Sequence, residues 1–254
     1  MDLLTIKGEI YEVVCDLHTH TRFSHGRGSI EDNVKVAVAK GLKTIGISDH
    51  GPGHIGFGVS RKKLAEMKAE ISRLRSVYKD IEILFGVEAN ILLPEKRLDV
   101  MREDYDYFDY ICAGWHFGAI DRLTPEWISG SFSNFARGSY KRATRRQIER
   151  NTDAFAAVVK AGGIKFLTHP GQSAPIDLIE IAAVCAREGT LLEISTNHMT
   201  LTPKVLEEMA LEGARFIISS DAHRPERVGD FHLAEKLLNE ADIDPACVEN
   251  LVKV

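Results

Sequence analysis

The sequence has few cysteines and no closely spaced pair of them. Four cysteines occur among 254 residues, at Cys15, Cys112, Cys185 and Cys247, and none belongs to a C-x-x-C motif. Such spacing argues against a disulfide framework and against a zinc site built from thiolates. It is the pattern expected of a protein in a reducing cytosol.

Long apolar runs and an excess of positive charge are missing as well. No stretch approaches the roughly 20 apolar residues that span a bilayer. The first ten residues, MDLLTIKGEI, carry charges within their apolar part and do not resemble a signal peptide. With 32 Lys and Arg against 37 Asp and Glu, the formal net charge is −5, which gives no general support for a nucleic-acid surface. We therefore predict a cytoplasmic protein without a membrane partner, and a homo-oligomer stays open.

Linkers rich in Pro, Gly or Ser, low-complexity tracts and short repeats are also absent. A chain of this length suits one large α/β domain, so residues 1–254 are predicted to form a single domain. The least regular segment is 118–139, which carries Trp127, Phe132 and Phe135. It is too long for a tight connection, and a functional lid and a loop packed over the rim of the fold are both consistent with it.

Short apolar runs alternate with amphipathic segments along the chain. The candidate strands are 12–17, 44–48, 81–87, 107–112, 164–168, 191–194 and 216–219, and the candidate helices include 30–40, 61–78, 140–161, 176–188 and 203–211. Ser29 is a candidate N-cap, and Gly41 follows the same helix as a C-terminal glycine. Strict alternation predicts an α/β fold with mainly parallel strands, and seven repeats indicate a closed or nearly closed barrel.

Residues that can bind a metal follow six of these seven strands. They are His18, His20 and His25 after the first strand, Asp49 and His50 after the second, then Glu88, His116 and His169, and finally Asp221 and His223. In a parallel β/α barrel the carboxyl ends of the strands form one face, where active sites lie. Imidazole and carboxylate are ligands for Zn²⁺, Mn²⁺ or Fe²⁺. The pattern therefore predicts a metal site at this face.

A single histidine indicates a metal ligand less strongly than ligand residues at six strand ends do. A histidine at the start of a loop is most often a surface or capping residue, and His54, His198 and His232 are interpreted in that way. The H-x-H pair is different, because strand periodicity projects His18 and His20 to the same side.

The motifs resemble those of the PHP (polymerase and histidinol phosphatase) family. In order they are DLHTHT (16–21), SHG (24–26), SDHGP (48–52), GVEAN (86–90), GWH (114–116), THPG (168–171), EI (193–194) and SSDAH (219–223). The similarity extends over about residues 13–230 and is greatest to the small stand-alone bacterial PHP-domain phosphatases. It implies a distorted (βα)7 barrel with a trinuclear metal centre.

The resemblance also implies a set of ligands for three divalent ions, which can be Zn, Mn or Fe. The first ion would be held by His18, His20, Glu88 and Asp221, the second by Glu88, His116 and His169, and the third by His25, His50 and His223. Glu88 would bridge the first two ions, and Glu88, Asp221 and His223 are the candidate catalytic residues. Asp16 and Asp49 are expected to orient imidazoles from behind, with a purely structural role as the alternative.

Several ions a few ångströms apart suit displacement at phosphorus. The predicted reaction is hydrolysis of a phosphomonoester of a small metabolite, histidinol phosphate among the candidates, by a metal-bridged hydroxide. Arginine binds phosphate in a bidentate manner. The candidate phosphate contacts are Arg22, Arg27, Arg224 and Arg227, and a solvated surface charge is the alternative for each.

Three other functions remain open. A phosphodiesterase or nuclease could use the same ions, although the acidic net charge disfavours it. An amidohydrolase also carries an H-x-H pair on a barrel, but Glu88, His25 and His50 fit that class less well. A non-enzymatic metal-binding or regulatory module is the third alternative, disfavoured because the full ligand set is present.

Overall fold

The computed structural model describes residues 3–93, 95–120 and 124–254 of the chain. Its strands are β1 (Leu3–Ile6), β2 (Glu9–Val13), β3 (Cys15–Asp16), β4 (Thr44–Ile47), β5 (Glu82–Leu92), β6 (Arg97–Leu98), β7 (Tyr110–Gly114), β8 (Phe166–Leu167), β9 (Leu191–Ser195), β10 (Phe216–Ser219) and β11 (Leu251–Lys253). Its α-helices are α1 (Ile30–Lys40), α2 (Arg61–Val77), α3 (Pro125–Arg137), α4 (Arg145–Ala161), α5 (Leu178–Glu188), α6 (Pro203–Leu211) and α7 (His232–Glu240). Short 3₁₀ turns cover Arg102–Tyr107, Pro225–Arg227 and Pro245–Cys247. None of the described helices is long and apolar enough to cross a membrane.

The main sheet has eight strands. Seven of them follow the order β3-β4-β5-β7-β8-β9-β10, in which each neighbouring pair is parallel, and β6 pairs with β5 in antiparallel orientation. The first and last of the seven meet just beyond their carboxyl ends. There the His20 amide donates to the Ala222 carbonyl at 2.8 Å, and the Ala222 amide donates to the His18 carbonyl at 3.2 Å. The predicted fold class, a mainly parallel and nearly closed barrel, is confirmed.

Helix ends follow the local sequence. The Ser29 hydroxyl accepts from the Asp32 amide, and the Asp32 side chain accepts from the Ser29 amide, which forms a capping box at the start of α1. Gly41 ends this helix in the left-handed region, with φ 80°. The predicted helix over 140–161 begins later, at Arg145, because the Thr144 hydroxyl caps it by accepting from the Gln147 amide.

Two regular regions, a small sheet and helix α7, were not predicted. Strands β1, β2 and β11 form a small antiparallel sheet, whose first hairpin turns at Lys7 and Gly8, both with positive φ. Helix α7 precedes the last strand. These elements are short, so each carries little periodicity. The Asn250 side chain joins this sheet region to the barrel by donating to the Cys15 and Ile218 carbonyls, both at 2.8 Å.

The prediction of an irregular segment over 118–139 is wrong for α3, which occupies Pro125–Arg137; residues 121–123 lie outside the described part of the chain. Gly130 and the serines around it have low helix propensity and obscure the pattern in the sequence. Ile128, Phe132 and Phe135 recur at helical spacing, and their side chains are exposed.

Tyr110 fills part of the barrel interior, in a buried cluster with Leu17, Cys112, Phe166, Leu191 and Ile217. The Tyr110 hydroxyl donates to the Leu17 carbonyl at 2.6 Å. A Cβ at Gly46 would come within 2.1 Å of the Tyr110 side chain, and one at Gly86 within 2.2 Å. Both positions therefore require glycine because the ring crosses directly over the backbone of β4 and β5.

We expect Gly86→Ala to lower the free energy of unfolding by about 1–3 kcal/mol, because the added methyl overpacks the barrel interior against Tyr110. Chemical denaturation measures this loss. Gly56→Ala is the matched control, since a Cβ there meets nothing closer than 3.7 Å. Combining Gly86→Ala with Tyr110→Leu should cost less than the sum of the two single changes. Equal stabilities of Gly86→Ala and the wild type would contradict this packing.

Candidate metal centre

A cavity of about 180 Å³ opens at the carboxyl ends of the barrel strands. Eight of the nine predicted metal ligands line it: His20, His25, His50, Glu88, His116, His169, Asp221 and His223. The ninth, His18, lies directly behind, with its Nε2 3.0 Å from the Nε2 of His20. Residues more than 200 positions apart in the chain therefore converge on one cavity.

The first group consists of His18, His20 and Asp221, whose potential ligand atoms lie within 4.8 Å of one another. Asp221 Oδ1 is 3.5 Å from His18 Nε2 and 3.2 Å from His20 Nε2. Glu88 Oε2 approaches the same two nitrogens at 3.4 and 3.5 Å. These are the four residues predicted for the first ion.

The second group consists of Glu88, His116 and His169. Here the other carboxylate oxygen is used: Glu88 Oε1 is 3.3 Å from His116 Nε2 and 3.0 Å from His169 Nε2. Thr168 also donates to this oxygen at 2.8 Å, which fixes the plane of the carboxylate. The two oxygens of Glu88 thus face two separate groups, as bridging requires.

The third group differs in detail from the predicted one. His25 and His223 lie together with ring centroids 4.2 Å apart, but they group with His20. His50 groups with His20 and Glu88, its Nδ1 3.1 Å from Glu88 Oε2. The rings of His25 and His50 are nevertheless stacked, with centroids 4.8 Å apart. His20 therefore occupies the centre of the imidazole cluster.

Two of these residues adopt a backbone conformation that L-residues rarely take. His169 has φ 28° and Asp221 has φ 49°. Such strain persists only where surrounding contacts hold it. The His169 amide donates to Glu193 Oε2 at 2.5 Å, and the residue after Asp221 is held by the hydrogen bonds that close the barrel.

Glu193, on β9, contacts two of the predicted ligands; it was quoted in the EI motif but was not assigned a role from the sequence. Its other oxygen, Oε1, is 2.7 Å from His18 Nδ1, so one buried carboxylate orients His18 and holds the His169 backbone. Contact with a carboxylate fixes the tautomer and raises the basicity of a ligating imidazole. The available sign was an acidic residue inside the apolar strand LLEIS.

Asp16 and Asp49 hold backbone segments, and none of their described hydrogen bonds goes to an imidazole. Asp16 accepts from the Ser220 and Gly229 amides at 3.1 and 2.9 Å. Asp49 accepts from the amide and hydroxyl of Thr21 at 2.8 and 2.6 Å. These contacts support the structural alternative, because the two carboxylates fix the loops that carry His20, Asp221 and their neighbours.

The histidines interpreted as non-ligands occupy three different environments. His198 lines the cavity, and its Nε2 is 3.6 Å from Asp221 Oδ2. His54 stacks on His50 with centroids 5.7 Å apart and accepts two backbone amides through Nδ1. His232 pairs with Asp230 on the surface. Its position in the cavity makes His198 a site residue, which a lone histidine in the sequence could not indicate.

The four candidate arginines lie outside the cavity. Arg27, Arg224 and Arg227 line a separate surface depression with Pro225 and Glu226, and Arg22 is exposed. Arg227 pairs with Asp230. Among the described residues, the metal-site cavity itself is lined by no Lys or Arg. Their predicted role as phosphate contacts therefore stays a prediction.

Burial sets the protonation of the outer imidazoles. Removal from water lowers the pKa of His25 and of His50 to about 3 in each case. Burial likewise holds the pKa of His20 well below its usual range, with the nearby His50 and His223 adding to the effect. Neutral imidazoles are the form that binds metal ions.

The carboxylates are ionised despite their burial. Burial alone would raise the pKa of Glu88, but interactions with the neighbouring imidazoles of His116, His18 and His50 hold that pKa well below its ordinary value. For His18 the balance is reversed: burial would lower its pKa, and the carboxylates of Glu193, Asp221 and Glu88 raise it well above normal. The buried carboxylates of Glu193, Asp221 and Glu88 therefore stabilise positive charge at His18.

The residues present fit a set of divalent cations. The donors are imidazole nitrogens and carboxylate oxygens, which suit Zn, Mn or Fe. Within the described residues, His20 Nδ1, His25 Nδ1 and Glu88 Oε2 are buried without a hydrogen-bond partner. Buried polar atoms are rarely left in this state. Cation binding among them would satisfy the Glu88 oxygen and balance the buried negative charge.

A parallel barrel with imidazoles and carboxylates gathered at its strand ends defines a class of barrel proteins that bind metal ions at this face. The PHP domain profile matches residues 16–197, which is more than half of the chain, and the chain therefore belongs to the PHP domain family. The family resemblance stated from the motifs is confirmed.

Relatives agree with this assignment. A protein of Acetivibrio thermocellus named "Probable phosphatase" is 29% identical over 93% of this chain and 90% of its own length. The "Probable phosphatase YcdX" of Escherichia fergusonii is 27% identical over 89% of this chain and 85% of its own length. A histidinol phosphate phosphatase of Lactococcus lactis, solved with zinc, L-histidinol and phosphate, superposes with a TM-score of 0.61 at 18% identity, covering 91% of this chain and 95% of the other. These names agree with the predicted enzyme class, a metal-dependent phosphatase.

We expect Glu193→Gln to weaken zinc binding by about 10–100-fold, the usual effect of losing a group that orients a ligand. Glutamine has a single acceptor oxygen, whereas His18 Nδ1 and the His169 amide each require an acceptor. Zinc titration against a competing chelator measures the change. Glu188→Gln, on the exposed end of α5, is the control. Unchanged zinc affinity in Glu193→Gln would show that this contact does not orient His18.

The metal-free protein should lose stability in acid through His50. Its folded pKa is depressed to about 3 by burial, so its contribution is present above the unfolded pKa of about 6.5 and is lost as the pH falls below that value. Between pH 7.5 and pH 5 the loss is about 2 kcal/mol. Urea denaturation of the wild type and of His50→Asn at both pH values isolates the contribution of His50 to the free energy of unfolding. An identical pH dependence in the two proteins would contradict the neutral, buried state of His50.

Proposed function

We propose that this protein is a metal-dependent phosphatase that hydrolyses phosphomonoesters of a small metabolite. Three divalent ions would be held by His18, His20, His25, His50, Glu88, His116, His169, Asp221 and His223. The trinuclear arrangement and attack by a hydroxide bridging the ions, both predicted from the sequence, belong to this proposal.

The observation that carries the proposal is the position of Glu88. Its carboxylate is fully buried, with Oε1 directed at His116 and His169 and Oε2 directed at His18, His20 and His50. A single carboxylate with an imidazole group on each side is the arrangement expected of a bridging ligand. Adjacent divalent ions, when bound, supply a water of lowered pKa and stabilise charge on phosphoryl oxygens.

The protein residues supply positioning and neutral donors. Glu193 orients His18, and the ionised Glu88 and Asp221 provide the negative charge that holds cations in a buried site. Burial keeps His25 and His50 unprotonated, so that they retain their metal-binding form in mildly acidic solution. His198 and Gln172 line the cavity beside these groups and are available to contact the substrate.

The size of the cavity favours a small reacting group. About 180 Å³ is less than the roughly 300–1,000 Å³ of pockets that enclose drug-sized ligands. A phosphoryl group fits such a space, while the leaving group would extend toward the opening. Histidinol phosphate is one candidate substrate among small phosphorylated metabolites, supported by the Lactococcus lactis protein.

The four arginines stay in the proposal as candidate phosphate contacts. Arg27 is the best placed, because its amide donates to the carbonyl of His223 at 2.9 Å. The exposed guanidinium groups of Arg22, Arg27 and Arg224 could reach a phosphate only at the rim of the cavity. They would act on the affinity for substrate more than on the chemical step.

Purified protein loaded with Zn²⁺ or Mn²⁺ should release phosphate from p-nitrophenyl phosphate and from members of a phosphorylated-metabolite panel. The same assay with bis(p-nitrophenyl) phosphate and with labelled single-stranded DNA tests the phosphodiesterase alternative. Turnover of the diesters without turnover of any monoester would contradict the proposal.

Glu88→Ala should lose at least one bound ion and lower kcat/KM by at least about 100-fold, since removal of an outer group alone costs 10–100-fold. Elemental analysis and phosphate release measure the two effects on the same samples. Glu82→Ala is the matched control, because Glu82 begins the same strand at its exposed end. Full metal stoichiometry in Glu88→Ala would overturn the bridging assignment.

A further inference from the structure

Asn90 lies directly behind His116. It is buried on β5, two residues after Glu88, and its side-chain Oδ1 is 2.8 Å from His116 Nδ1. The opposite ring nitrogen of His116, Nε2, faces Glu88 and His169. The two nitrogens of one imidazole are therefore committed to different partners.

The orientation of the Asn90 amide is fixed by Asp99. Asn90 Nδ2 donates to Asp99 Oδ2 at 2.6 Å, and the Asn90 backbone amide donates to Asp99 Oδ1 at 2.8 Å. An ionised carboxylate only accepts hydrogen bonds. The nitrogen of the Asn90 side chain must therefore point at Asp99, and its oxygen must point at His116.

This orientation determines which nitrogen of His116 carries the proton. The Asn90 oxygen can only accept, so His116 Nδ1 must donate. In the neutral ring Nε2 is then unprotonated, and its lone pair points into the cavity. An isolated imidazole in water favours the opposite tautomer, with the proton on Nε2, so the protein has to enforce this state.

Asp99 also holds the segment that carries His50. Its Oδ2 accepts from the Gly53 amide at 2.8 Å. A Cβ at Gly51 would come within 2.4 Å of an Asp99 carboxylate oxygen, and one at Gly53 within 2.7 Å of the Asp99 Cβ. Glycine is therefore required at positions 51 and 53, just after His50, for the Asp99 side chain to approach the backbone this closely.

We propose that Asp99 is a positioning residue that sets the tautomer of His116 through Asn90 and holds the segment following His50 in the same contact. A single carboxylate outside the cavity would in this way prepare ligands on two different strands. The metal-binding role of His116 and His50 rests on the proposed function, whereas the tautomer does not.

The test is the protonation of His116 in the metal-free full chain. Long-range ¹H–¹⁵N spectra of histidine side chains report which ring nitrogen carries the proton, and His116→Gln assigns the signal. We expect the Nδ1–H form in the wild type. In Asp99→Asn the amide at position 99 can donate to Asn90, whose side chain then turns its nitrogen toward His116, and the Nε2–H form should replace the Nδ1–H form.

A compensating double variant separates this role from a merely structural one. In Asn90→Asp combined with Asp99→Asn, the new carboxylate at position 90 accepts from His116 Nδ1. The amide at position 99 donates to the same carboxylate, so the Nδ1–H form of His116 should return. Asp104→Asn is the matched control, because Asp104 lies on the same segment and pairs with Arg61 at 2.6 Å. It should leave His116 unchanged.

Zinc titration gives the second measurement. Asp99→Asn should weaken one zinc site by about 10–100-fold, and the double variant should restore most of that loss. If Asp99→Asn does not fold, Asn90→Ala tests the same step, since it removes the acceptor and should lose the Nδ1–H form.

An Nε2–H form in the wild type, or an unchanged Nδ1–H form in folded Asp99→Asn or Asn90→Ala, would overturn the proposal. The tautomer is measured without metal or substrate. A protein that shows the expected tautomers but releases no phosphate would therefore contradict the proposed function and leave the role of Asp99 intact.

Discussion

The structure of the site depends on a carboxylate buried among imidazoles. Glu88 is fully inaccessible, and its pKa is held low by interactions with the imidazoles of His116, His18 and His50. Burying an ionised carboxylate is costly unless charged or hydrogen-bonded partners surround it. The barrel supplies those partners from four strand ends at once, so removal of Glu88 would leave the remaining ligands without a common centre.

The geometry of the barrel explains how distant residues reach that centre. Parallel strands bring their carboxyl ends to one face, and the hydrogen bonds between His20 and Ala222 and between His18 and Ala222 close the barrel at the same level. Tyr110 packs within the barrel against the backbone at Gly46 and Gly86. The strained backbone at His169 and Asp221 shows that the fold places side chains for the site at some conformational cost.

The sequence was sufficient to predict the barrel and eight of the residues that line the cavity, because both depend on patterns of adjacent residues. Strand periodicity located the strands, and the polar residues just after them marked the rim. The contacts that hold the ligand side chains in place were harder to predict from the sequence. Glu193 lies in the middle of an apolar strand, and Asp99 acts through Asn90, so their roles depend on which atoms face each other in space. For Asp16 and Asp49 the sequence left open whether they orient imidazoles or have a structural role. Their hydrogen bonds to loop backbone support the structural role, which their position in the chain could not reveal.

The central claim is that Glu88 bridges two ions of a three-ion site. Anomalous diffraction from crystals of the full chain grown with zinc, collected on both sides of the zinc absorption edge, tests it directly. Three anomalous peaks are expected in the cavity, two of them in contact with different oxygens of Glu88 and the third beside His25 and His223. A single peak, or peaks that do not contact Glu88, would contradict it.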